Sequence, residues 1–328
     1  MIFVKVVFKI LIALIILALG FGASVLFFLG PVGKSETPQV FVIPEDQYSF
    51  NISKSLLEQK LIKNEKAFRF LFTNFTVGKE IKPGGYRISP NMNAWQVLTK
   101  ITGKPDLVWL TISSCQRKEQ IGEKLTKALE WSTDELDQWN NLYKDTKTEY
   151  FEGVYYPDTY LLPFDESPAE IAQRFIYNFN AKFSPLSDEY ISKNIKWTTG
   201  LKIASLIARE AAGKSDMKLI SGIIWNRLND EMPLQIDATM QYTLGKNANG
   251  SWWGNINIEQ KQSDSLYNSY KVKGLPPTPI CSPNIDAIEA ALNPEETDCI
   301  FYLHDATGQI HCAKTYAEHL KNIDTYLN

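Results

Sequence analysis

The sequence predicts a mixed α+β protein on one N-terminal transmembrane helix, with a small α/β module and then a larger mixed α+β domain. Three observations carry that prediction. The run from Ile10 to Leu29 contains no charged residue. Residues 40–106 alternate short strand-like runs with helical periodicity, and residues 107–328 are mainly amphipathic helices closed by a hairpin signature. The predicted boundaries are a tail at 1–9, a membrane anchor at 10–30, a linker at 31–39, and domains at 40–106 and 107–328.

Taken in order, the apolar run matches the ~20 residues needed to cross a bilayer. Lys5 and Lys9 precede it, so the positive-inside rule places the N-terminus in the cytoplasm and the remainder outside, in a single pass of the plasma membrane. Gly22-Ala23-Ser24 could be a signal-peptide cleavage site. The apolar run continues through Val25-Leu26-Phe27-Phe28-Leu29, which favours an uncleaved anchor. In the first module, Val40–Pro44 reads as a strand, 53–59 and 64–75 as helices, 81–89 as a turn and strand, and 93–103 as a helix with Gly103 as its cap.

Leu107–Ile112 begins the second domain as a strand, followed by a helix at 118–129 and an aromatic-rich loop at 152–160. Helices are expected at 169–179, 201–212 and 216–228. Leu234–Tyr242 alternates apolar and polar residues, which as a strand would place Gln235, Asp237 and Thr239 on one face. Asp305-Ala-Thr-Gly308 separates the two arms of a hairpin, 300–304 and 309–314.

Composition narrows the function. With 44% hydrophobic and 22% charged residues the chain is a folded protein, and a net charge of −3 argues against a nucleic-acid partner. The four cysteines, Cys115, Cys281, Cys299 and Cys312, lack zinc-site spacing. An exported position permits a bridge, but buried thiols are the simpler expectation. His304 and His311 could meet across the hairpin as a weak metal site, for which a structural role is preferred. No zinc-protease, nucleophile-elbow or phosphate-loop motif occurs.

Glu210 is the sharpest feature. On a helical wheel it falls in the stripe made by Ile203, Leu206 and Ile207, while Lys202, Ser205 and Arg209 point the other way. A carboxyl turned into an apolar surface loses hydration, so its pKa rises toward the range of a general acid. The alternative is a structural ion pair, for example with Arg227. Downstream, Asn226, Arg227, Gln235, Asp237 and Thr239 offer hydrogen-bonding groups suited to a carbohydrate. Asn268 and Tyr270, and Asp158 and Tyr160 in the earlier loop, extend that set. Trp252-Trp253 and the Gly274–Ile280 loop add aromatic faces and a rigid wall, although Trp pairs are more often core.

These blocks resemble the membrane-anchored endolytic murein transglycosylases of bacteria. The resemblance runs through Gly84–Ser89, Glu152–Tyr160, Ala204–Glu210, Asn226–Leu228, Leu234–Thr239, Tyr267–Tyr270, Gly274–Pro277, Gly308–His311 and Glu318-His319. It implies a LysM-like module at 40–106, a catalytic domain at 107–328 and Glu210 as the catalytic acid. It also implies cleavage of peptidoglycan glycan strands to 1,6-anhydro-N-acetylmuramic acid ends without a metal or organic cofactor, near peptidoglycan synthases. Departures are Ser113-Ser-Cys115 in place of a Pro-Glu-Gly turn, Ala208 where some relatives carry an acid, Thr278 for a glycine, and Cys312 for an apolar residue. A two-carboxylate muramidase using Asp237, or a non-catalytic glycan-binding scaffold, are the alternatives.

Overall fold

The computed structural model describes residues 2–46, 51–144 and 152–327. The chain divides into two compact units, Met1–Trp109 with Tyr160–Asp165, and Leu110–Thr159 with Glu166–Asn328.

The first unit opens with α1 (Ile2–Leu29), whose apolar stretch Ile10–Leu29 is long enough to cross a membrane. There follow β1 (Gln39–Ile43), α2 (Ile52–Glu58), α3 (Glu65–Phe75), β2 (Gly84–Ile88) and α4 (Ala94–Ile101). Asn51, Asn64 and Asn93 each cap the helix that follows by accepting a backbone N–H three residues on. Gly103 is not the cap of α4: Thr102 is, and its hydroxyl bonds back to Leu98 O. β1 and β2 pair antiparallel, with Phe41 opposite Tyr86. Phe41, Ile43, Tyr86 and Ile88 point inward on alternate positions and meet Leu56, Phe68 and Val97 in one core. The sheet runs β1-β2-β3-β4 with β3 (Leu107–Thr111) and β4 (Thr159–Pro163). Gly84 is required where β2 meets β3, since a Cβ there would lie 2.5 Å from Leu107 O.

The second unit contains α5 (Lys118–Leu129), α6 (Thr133–Asn141), α7 (Pro168–Phe183), α8 (Ser187–Ser192) and α9 (Trp197–Glu210). It continues with α10 (Met217–Asn229), α11 (Asp237–Leu244), α12 (Ile285–Leu292), β5 (Phe301–His304), β6 (Ile310–Ala313) and α13 (Tyr316–Tyr326). Ser132, Ser167 and Thr315 start α6, α7 and α13 in reciprocal capping boxes with Glu135, Glu170 and Glu318. The buried indole of Trp139 packs on Trp131, Tyr155 and Phe175. α9 is buried at Gly200, Leu201 and Ile203 to Ile207 and packs against α10, α11 and α12.

Two further expectations are corrected. Leu234–Tyr242 is not a strand: Gln235 takes a left-handed φ of 56°, and the chain then winds into α11 from Asp237. The cysteines are not free thiols. Cys115 bridges Cys281, and Cys299 bridges Cys312. Cys299 and Cys312 meet across the β5–β6 hairpin, whereas Cys115 and Cys281 are brought together by tertiary contacts that spacing does not reveal.

Candidate functional site

Glu210 is the last residue of α9, two short of the helix end expected from sequence. Gly200, Leu201 and Ile203 to Ile207 are buried, whereas Ala208, Arg209 and Glu210 are half-buried. The helix therefore leaves the core at the carboxyl group. Glu210 meets solvent on one side and protein on the other. Loss of hydration pushes its pKa up, the Tyr302 hydroxyl opposes that rise, and the nearby charge of Asp237 adds to it. Partial negative charge on the carbonyls of the last helical turn acts in the same direction as Asp237.

Tyr302 on β5 donates to Glu210 Oε2 at 2.5 Å. The turn after Glu210 is held by Asp216, which accepts from the backbone N–H groups of Ala212 (2.9 Å) and Gly213 (3.1 Å). His304, two residues beyond Tyr302 on the same strand, contacts Asp216 Oδ2 at 2.7 Å. His304 and His311 are not paired across the hairpin: Leu303 lies opposite His311, and His311 contacts Asp305 while stacking on Tyr326. Among the described residues no group of three His, Cys, Asp or Glu side chains could hold a metal.

Arg227 makes no ion pair with Glu210. Its guanidinium donates to the carbonyls of Ile300, Pro233 and Leu234 and to Gln235 Oε1. Asn226 donates to the carbonyls of Thr297 and Cys299 and lines a cavity of about 500 Å³ with Trp225, Leu292 and Glu295. Thr239 and Asn268 are fully buried and bonded inside the protein, Thr239 to Ile236 O and Ser269, Asn268 to Lys261 O and Ser263 O. These four side chains pin the loops and the hairpin around Glu210.

Gln235 and Asp237 are exposed, and Tyr270 is half-buried. Tyr270 donates to Asp237, and Lys261 reaches both, at 3.0 Å from Asp237 and 2.8 Å from the Tyr270 hydroxyl. Asp158 is exposed, accepts from the Thr159 N–H and from Asn178, and immediately precedes β4, in which Tyr160 is half-buried. The two tryptophans are packed by cations: Arg209 lies 4.2 Å from the Trp253 ring centre and Arg117 4.7 Å from that of Trp252.

Sequence reasoning missed Tyr302, Asp216 and Lys261, which reach the site from about 90, 6 and 50 positions away along the chain as order-of-magnitude separations. It also missed Glu152, a wholly buried carboxyl beside α5 whose pKa is pushed up to about 7 by desolvation. Its position at the head of the aromatic loop was the available signal.

The YceG-like family profile matches residues 41–325. A Bacillus subtilis protein named endolytic murein transglycosylase is 28% identical over 325 residues, covering 92% of this chain and 88% of that protein. Two Streptococcus pneumoniae proteins of the same name are 30% identical over 335 residues; they cover 91% of this chain, which spans 60% of their length. The crystal structure of a YceG-like protein from Listeria monocytogenes aligns with a TM-score of 0.61 at 27% identity, over 88% of this chain and 99% of that one. The matched region contains α9, the α11 segment and the β5–β6 hairpin together, and the chain belongs to the YceG-like family.

Proposed function

We propose that this chain is a membrane-anchored endolytic lytic transglycosylase of peptidoglycan, with Glu210 as its acid and base. The observation that carries the reading is a half-buried carboxyl with a raised pKa at the point where a buried helix meets solvent. It is joined by the name shared among the relatives that match over most of the chain.

Protonated Glu210 gives its proton to the oxygen linking N-acetylmuramic acid to N-acetylglucosamine as the bond from that oxygen to the anomeric carbon breaks. The 6-hydroxyl of the same muramic acid then bonds to that carbon, and its proton passes to the Glu210 carboxylate. One group is restored, no water is consumed, and the product end is the 1,6-anhydro sugar. Gln235, Asp237 and Tyr270 contact the sugar, and Asp158 and Tyr160 are further glycan-binding candidates. Asn226, Arg227, Thr239 and Asn268 hold the surrounding loops.

The remaining proposals concern organisation. The β1-α2-α3-β2 order with antiparallel pairing of its strands supports a LysM-like glycan-binding module at 40–106. Lys5 and Lys9 support a cytoplasmic N-terminus, with the domain at 107–328 outside the plasma membrane. There it cuts nascent strands beside peptidoglycan synthases and so ends their elongation.

Digestion of purified sacculi, with mass analysis of the product ends, tests the function. Anhydro ends released by the unaltered chain and not by Glu210→Gln support it. Reducing ends would make the protein a muramidase using Asp237 as second carboxylate, and absence of release by either form would leave a glycan-binding scaffold.

A further inference from the structure

Resting on Glu210 as the acid, we propose that Tyr302 is a positioning residue: it occupies Glu210 Oε2 as a hydrogen-bond donor, so that the proton delivered to the glycan resides on Oε1.

Geometry begins the argument. Tyr302 lies on β5, and its hydroxyl donates to Oε2 at 2.5 Å. Its near neighbour His304 shares that strand face and holds Asp216, which fixes the turn after Glu210. One strand face thus holds both the acid and the turn that follows it. The strand is itself tethered: Arg227 donates to Ile300 O, Asn226 donates to Cys299 O, and Cys299 bridges Cys312. Residues that touch no reacting atom can in this way set the aim of one that does.

The hydrogen-bond inventory then assigns the proton. An ionised carboxylate has no proton to give, so the phenol must be the donor in that state. When Glu210 is protonated, placing the proton on Oε2 would require the phenol proton to turn away. Among the described residues the Tyr302 hydroxyl has Glu210 as its one hydrogen-bond partner, and Arg227 and Asp216 act on it only electrostatically. A guanidinium accepts no hydrogen bond. The Asp216 oxygens already accept from Ala212 and Gly213 and contact His304. The phenol keeps its orientation through both halves of the reaction, and Oε1 is the oxygen that gives and regains the proton. Burial and the adjacent carboxyl raise the Tyr302 pKa well above its usual value, which keeps the donor neutral at working pH.

The titratable groups that bear on Glu210 are Arg209 on its own helix, Asp237 on α11 and His304 on β5. Tyr302 differs from them in bonding directly to the carboxyl. Its removal withdraws a donor that favours the ionised form, so the Glu210 pKa rises further.

The test is the pH–rate profile of the full chain on glycan strands. The high-pH limb reports loss of the Glu210 proton. Tyr302→Phe should move that limb upward by about one pH unit and lower kcat roughly 10-fold, with KM changed less than about 2-fold. Replacing Tyr302 with 3-fluorotyrosine, a stronger donor of nearly the same shape, should move the limb downward by a few tenths of a unit. Shifts of opposite sign from the two variants are the expected result, because loss of packing alone would not give them. If Tyr302→Phe does not fold, the downward shift in the fluorinated form remains the required outcome. An unmoved limb, or a shift of the wrong sign, overturns the positioning role. Glu210→Gln that still turns over would instead overturn Glu210 as the acid, so the two failures are distinguishable.

Discussion

Glu152 and Glu210 are both carboxyl groups with raised pKa values in the second unit, and they differ in how they are satisfied. Glu152 is 1% exposed. It accepts from the N–H of Lys118 at 3.2 Å to both oxygens, from its neighbour Gly153 at 3.1 Å, and from the Tyr242 hydroxyl at 3.3 Å. It thereby holds the start of α5, its own loop and α11 together. Glu210 receives one side-chain donor, Tyr302, and keeps a face toward solvent. Desolvation raises both pKa values, so a raised pKa alone does not identify a reactive acid. What separates them is hydrogen-bonding capacity left open on the accessible side.

Substitutions at the two positions should therefore diverge. Glu210→Gln keeps shape and removes the titrating proton. Turnover should fall by roughly 10²- to 10⁴-fold while thermal stability stays within about 2 °C, as read by product release and calorimetry. An equal loss of stability would break the contrast. Glu152→Ala should show the reverse. It removes the buried acceptor shared by the Lys118 and Gly153 N–H groups and the Tyr242 hydroxyl, at a cost of about 3 kcal/mol in urea unfolding.

The pH dependence of stability sharpens the same contrast. The folded pKa of Glu152, about 7, lies above its usual 4.5. The folded state thus holds this proton more tightly than the unfolded state. That contribution is complete below about pH 4.5 and is lost as pH rises through about 7. Glu152→Gln should flatten this part of the melting-temperature curve. Loss of the Cys299–Cys312 bridge, which closes a separation of 13 residues beside Tyr302, should cost about 3 kcal/mol as the paired serine variant in urea. The smallest effect is expected at Asp237→Asn. Removing that charge lowers the Glu210 pKa, so the high-pH limb of activity should move to lower pH by a few tenths of a unit.

The helical stripe of Ile203, Leu206 and Ile207 made α9 and the odd placement of Glu210 legible in sequence, because both depend on spacing within one helix. The partner of Glu210 was not legible. Tyr302 arrives by tertiary folding on a hairpin whose strands could be read but whose docking could not. α11 was misread because Leu234, Ile236 and Ala238 are all buried, which imitates a strand, until the left-handed turn at Gln235 is known. The capping boxes Ser132–Glu135 and Thr315–Glu318 were present as local signals for α6 and α13. The Cys115–Cys281 bridge was hidden for a different reason, since its cysteines are 166 positions apart and meet only in the folded core, whereas Cys299 and Cys312 flank the hairpin that the sequence marks.

The most direct test of the central claim is the ionisation of Glu210 itself, followed by carbon NMR of glutamate labelled at the side-chain carboxyl, with Glu210→Gln assigning the resonance. Its midpoint should lie above the ordinary carboxylate range, and Tyr302→Phe should raise it further. A Glu210 resonance that titrates like a fully hydrated glutamate, indifferent to Tyr302, would contradict the claim.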